Sequence, residues 1–323
     1  MPPPEPGGKQ DAASYQRHFH RRWNHLQDRH VRTLAWLLDA PDLLDANAAA
    51  WQGKVATLGP VDAATAAWLA ELDAAPEALH AALPSGPFTR LGRYAESLMA
   101  FYLAWQGRLI AHGVQVRGEK NETVGEFDFI VRDGAEAVHW EFATKLYLLE
   151  TCGKGRHADY FVGPNLADTL GAKVRKIMQR QLALSSHPNA INHLPEPVHR
   201  AQALVKGWLF YQGGTPDTII PEGIGHCHCR GFWNVLDGLD DLASLRYVIL
   251  PRLQWLAPGK FRENETCGLD ELRGTIRAHF GGNTMPVLVS VLETDGGRDG
   301  WLLETDRGFI VPDDWSRRAA AMG

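Results

Sequence analysis

The chain has 323 residues, 45% hydrophobic and 22% charged, which is ordinary globular composition with length for two domains or one large elaborated one and ample material for a core. A formal charge of −5 excludes a global cationic field, and with it a partner held by bulk electrostatics alone, while leaving room for a local site. Cys152, Cys227, Cys229 and Cys267 are too few and scattered for a disulfide framework, and no apolar run approaches the roughly 20 residues of a membrane span. A cytoplasmic protein of bacterial type with no membrane partner is expected.

Residues 1–14, rich in Pro and Gly, read as a disordered tail without a signal-peptide pattern. A helical region follows over 15–88. Tyr15 to Leu44 reads as helix, with Tyr15, Phe19 and Trp23 four apart on one face. Tyr15 to Arg32 also holds five arginines and four histidines against one acid, so this helix is either a phosphate-contacting element or a core stripe with solvated arginines. The stretch VDAATAAWLAELDAAPEALHAAL predicts a helical hairpin broken near Pro76, and ALPSGP at 82–87 a linker.

The pattern changes over 89–212. Arg90 to His112 predicts an amphipathic helix, VQVRG a short strand, Glu126–Arg132 a second strand and Val138–Leu148 a third. Leu166–Leu184 predicts a helix with Asn165 as N-cap, and Ala203–Tyr211 a fourth strand. The order is α-β-β-β-α-β. The rest, 213–323, mixes strand-like runs (LRYVIL, MPVLVSVLE, RGFIVP) with a helix near Leu269–Phe280, an α+β extension.

The second and third strands carry charge where strands of a core should not. By alternation Phe127, Phe129 and Val131 share one face, and Asp128 the other; Glu141, Ala143 and Lys145 share a face with His139. If residues 133–136 form the loop, with Arg132 opposite Ala137, Asp128 stands opposite Glu141, with Cβ atoms ~4.5–5.5 Å apart. A two-residue turn instead puts Asp128 opposite His139, with the acidic pair diagonal. Two carboxylates this close repel unless a cation lies between them, and Mg²⁺ typically takes one or two carboxylates plus substrate phosphate. The other reading is a solvent-exposed sheet face. Glu96, within the otherwise apolar YAESLMAFY, and the stripe Lys173, Lys176, Arg180 with Gln181 beside it are further candidates for the same cleft.

These residues resemble the PD-(D/E)XK, restriction-endonuclease-like nuclease superfamily: GEFDFIV, twelve residues between Asp128 and Glu141, then a Lys on the same strand, within α-β-β-β-α-β. The resemblance implies an α/β restriction-endonuclease-like core with a mixed sheet. It also implies Asp128 and Glu141 as ligands of Mg²⁺ or Mn²⁺, Lys145 orienting or activating water, and Glu96 and Gln181 joining from the flanking helices. DNA or RNA is then the partner and phosphodiester hydrolysis the activity; a catalytically degenerate fold that binds nucleic acid or docks protein is the alternative. The superfamily pattern is E-x-K, roughly 7 Å along a strand; here Glu141 and Lys145 are four apart, roughly 13 Å if straight, with Ala143 between. A β-bulge that returns Lys145, a migrated Glu141 or a loss of hydrolysis would each account for this. The chain also resembles a bacterial family known as domain of unknown function 1853, through GRYAESLMAFYL, GEFDFIV, HWEFATKLYLL, GPNLADTL, RGFW, LPRLQWLAP and RGFIVPDDW.

GHCHCRGFW places His226, Cys227, His228 and Cys229 in a row, but adjacent residues cannot all wrap one tetrahedral ion, so no zinc is expected there. Trp140, Trp208, Trp233 and Trp255 are expected in the core rather than as base-stacking platforms. No P-loop, G-x-S-x-G or H-E-x-x-H pattern is present.

Overall fold

The computed structural model describes residues 14–84, 90–118, 122–150, 157–214, 220–241, 246–294 and 300–322. The expected tail lies outside these residues except for Ser14, as do Cys152 and residues 85–87 of the 82–87 linker.

The fold is mixed α/β, built on one large mixed sheet. Four helices come first: α1 (Tyr15–Trp23), α2 (Arg29–Asp39), α3 (Ala63–Ala74) and α4 (Glu77–Ala82). The single helix expected over 15–44 is therefore two. Asp28 breaks it, because its carboxylate accepts the His30 and Val31 N–H groups at 2.8 and 3.0 Å and so caps a new helix. Phe19 and Trp23 are buried core. Arg22 is spent on Asp39 and the Val61 carbonyl, both at 2.6 Å, and buried Arg32 on the carbonyls of Trp23, Leu26 and Pro258.

Next come α5 (Leu91–Trp105), β1 (Leu109–Arg117), β2 (Thr123–Asp133) and β3 (Glu136–Leu149), then the short β4 (Phe161–Val162), α6 (Leu170–Lys176) and β5 (Val198–Gln212). Helix α5 stops seven residues short of His112. Gly107 takes φ +66°, and the Gly107 and Arg108 N–H groups bond back to the Ala104 and Leu103 carbonyls, a left-handed helix stop that only glycine adopts cheaply. Helix α6 begins at Leu170, capped by Thr169 and not by Asn165. After Lys176 it continues as a π turn over Ile177–Gln181 and a 3₁₀ turn over Leu182–Ser186.

The remaining elements are β6 (Cys229–Val235), β7 (Arg246–Ile249), β8 (Lys260–Arg262), α7 (Leu269–Phe280), β9 (Val287–Thr294), β10 (Trp301–Val311) and α8 (Trp315–Ala320). The strand order is β1-β2-β3-β5-β6-β10-β9-β7, with β4 on β3 and β8 on β10. The β3–β5, β5–β6 and β6–β10 pairs are parallel and the others antiparallel. The C-terminal strands thus extend the sheet that β1–β5 begin.

Helix α5 packs its Tyr94, Leu98 and Tyr102 into one cluster with Phe129, Trp140 and Phe142. Helix α6 packs Leu170 and Val174 with Ala143, Tyr147, Ala203 and Val205. Alternation along β3 is responsible: even-numbered apolar residues meet α5, odd-numbered ones α6. Among the described residues no helix is long and apolar enough to cross a membrane.

Candidate active site

The hairpin register is Arg132 opposite Ala137, Val131 opposite Val138 and Phe129 opposite Trp140. The expected register holds, but not the expected loop. Asp133 pairs with Glu136, so the turn is only Gly134 and Ala135, and a two-residue turn thus keeps Arg132 opposite Ala137 instead of shifting Asp128 to His139. The next step of the ladder places Asp128 opposite Glu141. There the pairing ends. Beyond Asp128, β2 pairs only with β1, through Phe127–Val114 and Glu126–Gln115, while β3 continues with β5. The two strands part like a fork. At the crotch the Phe142 N–H donates to Asp128 Oδ2 at 2.9 Å, a side chain replacing the lost ladder bond. Phe127 is turned out of the expected face: it clusters with Ile130 and Leu184 and meets His139 edge-on at 4.7 Å.

Groups from both sides of the sheet meet in this fork. Glu141 is only 3% exposed. Its Oε1 accepts from Gln181 Nε2, and Gln181 Oε1 in turn accepts from Lys173 Nζ at 3.2 Å. The π turn matters here, since widening the helix at 177–181 sets the direction of Gln181; such bulges recur at functional sites. Glu141 Oε2 is buried with no hydrogen-bond partner, and His139 Nε2 lies 3.7 Å away, beyond bonding reach. His139 is fully buried and neither ring nitrogen is bonded. Burial pushes its pKa down to about 4, so it is neutral near pH 7.

Burial, and then the charge of Glu141, holds Asp128 far above the usual carboxylate range; burial raises Glu141 too. They titrate as a pair, the second charge resisted by the first. Glu96, from α5, is pushed up to about 7 by burial and then by the Asp128 charge. Lys145 is pushed down to about 8 by burial and then by Lys173, with Asp168 and Glu141 opposing.

The structure therefore brings Asp128, Glu141, Glu96 and Gln181 together, with Lys145 near enough to act on them electrostatically. It does not bend β3 to do so. Pairing with β5 runs unbroken from Glu141–Ala203 to Lys145–Gly207, which rules out the bulge that would have returned Lys145 to the E-x-K position. Gly207 explains the regularity: a Cβ there would sit 2.1 Å from the Lys145 carbonyl oxygen, so the strands are held tightly side by side. Sequence reasoning assigned no role to His139 or Asp168. His139 had a usable signal, two residues before Glu141 and on its face; Asp168 had none, because a loop delivers it.

These residues fit a hard divalent cation. The free donors are carboxylate oxygens, as Mg²⁺ prefers, and a buried carboxylate oxygen without a partner is costly unless a cation or donor meets it. Among the described residues no three His, Cys, Asp or Glu side chains already ring a common point. The chain would thus supply the Asp128 and Glu141 carboxylates, leaving other positions to water and phosphate.

At 226–229 the side chains diverge. His226 and Cys227 are exposed, while His228 and Cys229 are buried. His228 bonds the Tyr211 hydroxyl through Nε2 at 2.7 Å and the Gly225 carbonyl through Nδ1 at 2.6 Å. Burial pulls its pKa down to about 4, with Arg230 and His226 acting the same way and the Gly225 bond opposing. A depressed histidine stabilises the fold fully above its unfolded pKa near 6.5, and the contribution is lost as pH falls toward 4. Urea unfolding at pH 7 and 4.5 should show the native protein losing roughly 2–3 kcal/mol more than His228→Gln. Equal losses would mean that His228 is not held neutral.

Trp140, Trp208 and Trp233 are core, whereas Trp255 is half-buried beside a cavity. Neither a curated protein nor a solved structure matches the chain. A family model does, described as Domain of unknown function (DUF1853) and matching residues 32–311, from α2 to the last residue of β10; the chain belongs to that family.

Proposed function

We propose that this protein is a Mg²⁺- or Mn²⁺-dependent nuclease that hydrolyses phosphodiester bonds of DNA or RNA at the fork between β2 and β3. One observation carries the reading. The buried carboxyl of Glu141, with an unpartnered oxygen, faces the half-buried carboxyl of Asp128 where the strands part, in an element order, α5-β1-β2-β3-α6-β5 with the short β4 before α6, that fits the restriction-endonuclease-like core.

A divalent cation held there would polarise the phosphate and activate water. The residues do the rest. The Phe142 N–H fixes Asp128, and Gln181, itself held by Lys173, fixes Glu141, so neither carboxylate must reorganise when substrate arrives. Lys145 orients the attacking water or stabilises charge developing on the phosphate oxygens. The water oxygen joins phosphorus, the ester bond breaks, and the leaving oxygen takes up a proton.

The alternative, a catalytically degenerate fold that binds nucleic acid or docks protein, draws on one feature. The straight course of β3 leaves Lys145 four residues from Glu141.

Thermal melts separate the site from an accidental acidic pair. Saturating Mg²⁺ or Mn²⁺ should raise the melting temperature of the native protein by roughly 4 °C, the effect of a ligand near a hundred times its dissociation constant on a protein of this size. Asp128→Asn should abolish the rise. A melting temperature indifferent to both cations sinks the reading.

A further inference from the structure

Lys145 borders a second space, a cavity of 240 Å³ adjoining the fork. Five parts of the chain wall it, Met285 before β9 closing one side. Arg90 comes from the start of α5, and Thr144 with Lys145 from β3. Asp168 comes from the loop before α6, and Arg252 with Trp255 from the segment after β7. Three cations thus face one carboxylate and one indole. The Thr144 hydroxyl is buried and unbonded.

The loop that carries Asp168 is tightly specified. Leu166 sits at φ +56°, a left-handed conformation that side chains rarely adopt, and the Gly163 N–H bonds the Asp168 carbonyl at 2.9 Å. Strain of this kind concentrates where a loop must hold a group against a ligand. Trp255 is also held: its Nε1 donates to the Leu250 carbonyl at 2.9 Å, and Arg252 lies 5.5 Å over its ring.

We propose that this cavity receives one unpaired nucleotide beside the phosphate bound at the fork, which makes single-stranded nucleic acid the substrate class. The inference rests on the nuclease reading above and adds the form of the strand. Size argues first: the cavity is below the ~300–1,000 Å³ of drug-sized ligand sites, so it suits one base and not a base pair. Chemistry argues second. Phe309 packs edge-on against the Trp255 indole and Arg252 lies over it, so a base stacks on that guanidinium–indole pair, and Arg90 and the Arg252 guanidinium reach the flanking phosphates. The Asp168 carboxylate meets the base edge, which only an unpaired base presents in full. Position argues third, because Lys145 lines the cavity and is close enough to the acidic fork to feel the charge of Glu141.

The test is fluorescence anisotropy of the full chain in EDTA. The probes are a labelled single-stranded oligodeoxynucleotide, the matching oligoribonucleotide and a hairpin-closed duplex. The native protein should bind at least one single strand about tenfold more tightly than the duplex, within the range of one base stacked on an aromatic ring. Trp255→Leu should erase that preference. Arg252→Gln, at an exposed position where folding is not at stake, should lower single-strand affinity roughly fivefold by removing a phosphate contact. Equal affinity for single strand and duplex, or single-strand affinity unchanged in both variants, overturns the proposal. The two readings fail separately. A single-strand preference without any cation response in the melts keeps the cavity's role and removes hydrolysis. A cation response with equal strand affinities keeps the metal site and removes the cavity's role.

Discussion

Asp128→Asn and Glu141→Gln should each slow phosphodiester hydrolysis roughly a thousandfold, measured as single-turnover cleavage of a labelled strand in Mg²⁺. The two variants remove charge but almost no volume. Glu141→Gln also relieves the repulsion that raises the Asp128 pKa, and Asn at 128 keeps an oxygen for the Phe142 N–H, so neither should destabilise the fold. Loss of activity with an unchanged or higher melting temperature is therefore the expected signature. Gln181→Ala should cost less, on the order of 10–100-fold, because Gln181 holds Glu141 in place without supplying an oxygen to the cation. Lys145→Met discriminates further. A Lys that positions water or stabilises phosphate charge should cost roughly a hundredfold when removed. Cleavage by Lys145→Met at the native rate would show that the displaced Lys has no part in the chemistry. Native-rate cleavage by Asp128→Asn would place the active site elsewhere.

Much of this site was legible because it lies on strands. Alternation and the Arg132–Ala137 register sufficed to put Asp128 opposite Glu141, although the loop proved to be two residues and not four, because Asp133 and Glu136 extend the ladder by one more pair. What alternation cannot foresee is where a pair of strands separates. The fork arises because β2 turns to β1 while β3 follows β5 through a long parallel ladder, a competition between non-local partners. The same competition rotates Phe127 away from Phe129. Helix ends were legible only where the signal is local. Gly107 stops α5 through its left-handed φ, yet the apolar spacing that runs on to His112 hides it; Asn165 resembles a cap, but Thr169 four residues later is the one that bonds an N–H. The π turn that aims Gln181 has no counterpart in hydrophobic periodicity. Nor does the wall of the adjoining cavity, because Trp255 and Arg252 reach it from a segment some 110 residues after Lys145.

Arg307→Leu should destabilise the protein by roughly 3–5 kcal/mol, the largest loss expected of any single change considered, because it strands a buried charge. Arg307 and Glu304 are both fully buried, and the guanidinium binds the carboxylate at 2.5 and 3.0 Å. It also donates to the carbonyls of Trp255 at 2.5 Å, Leu256 at 3.3 Å and Ala257 at 2.7 Å, and lies 4.3 Å over the Trp208 ring. Glu304 is occupied in turn by the Ser290 hydroxyl at 2.8 Å and the Gly259 N–H at 3.0 Å. The pair thus ties β9 and β10 to the segment that carries Trp255. Removing the cation leaves one carboxylate and three carbonyls partly unpaired inside the core. Removing the anion as well should be far less harmful than the sum, since the desolvated charge goes with it. In urea unfolding, Arg307→Leu combined with Glu304→Gln should therefore recover at least about 2 kcal/mol relative to the added single losses. Strict additivity would show that the two side chains do not act as one unit. Because Arg307 grips the backbone at Trp255, the single variant should also loosen the wall of the cavity beside Lys145, so that single-strand affinity falls at temperatures where the chain is still folded. A variant that is destabilised yet binds single strands with native affinity would confine Arg307 to holding the core.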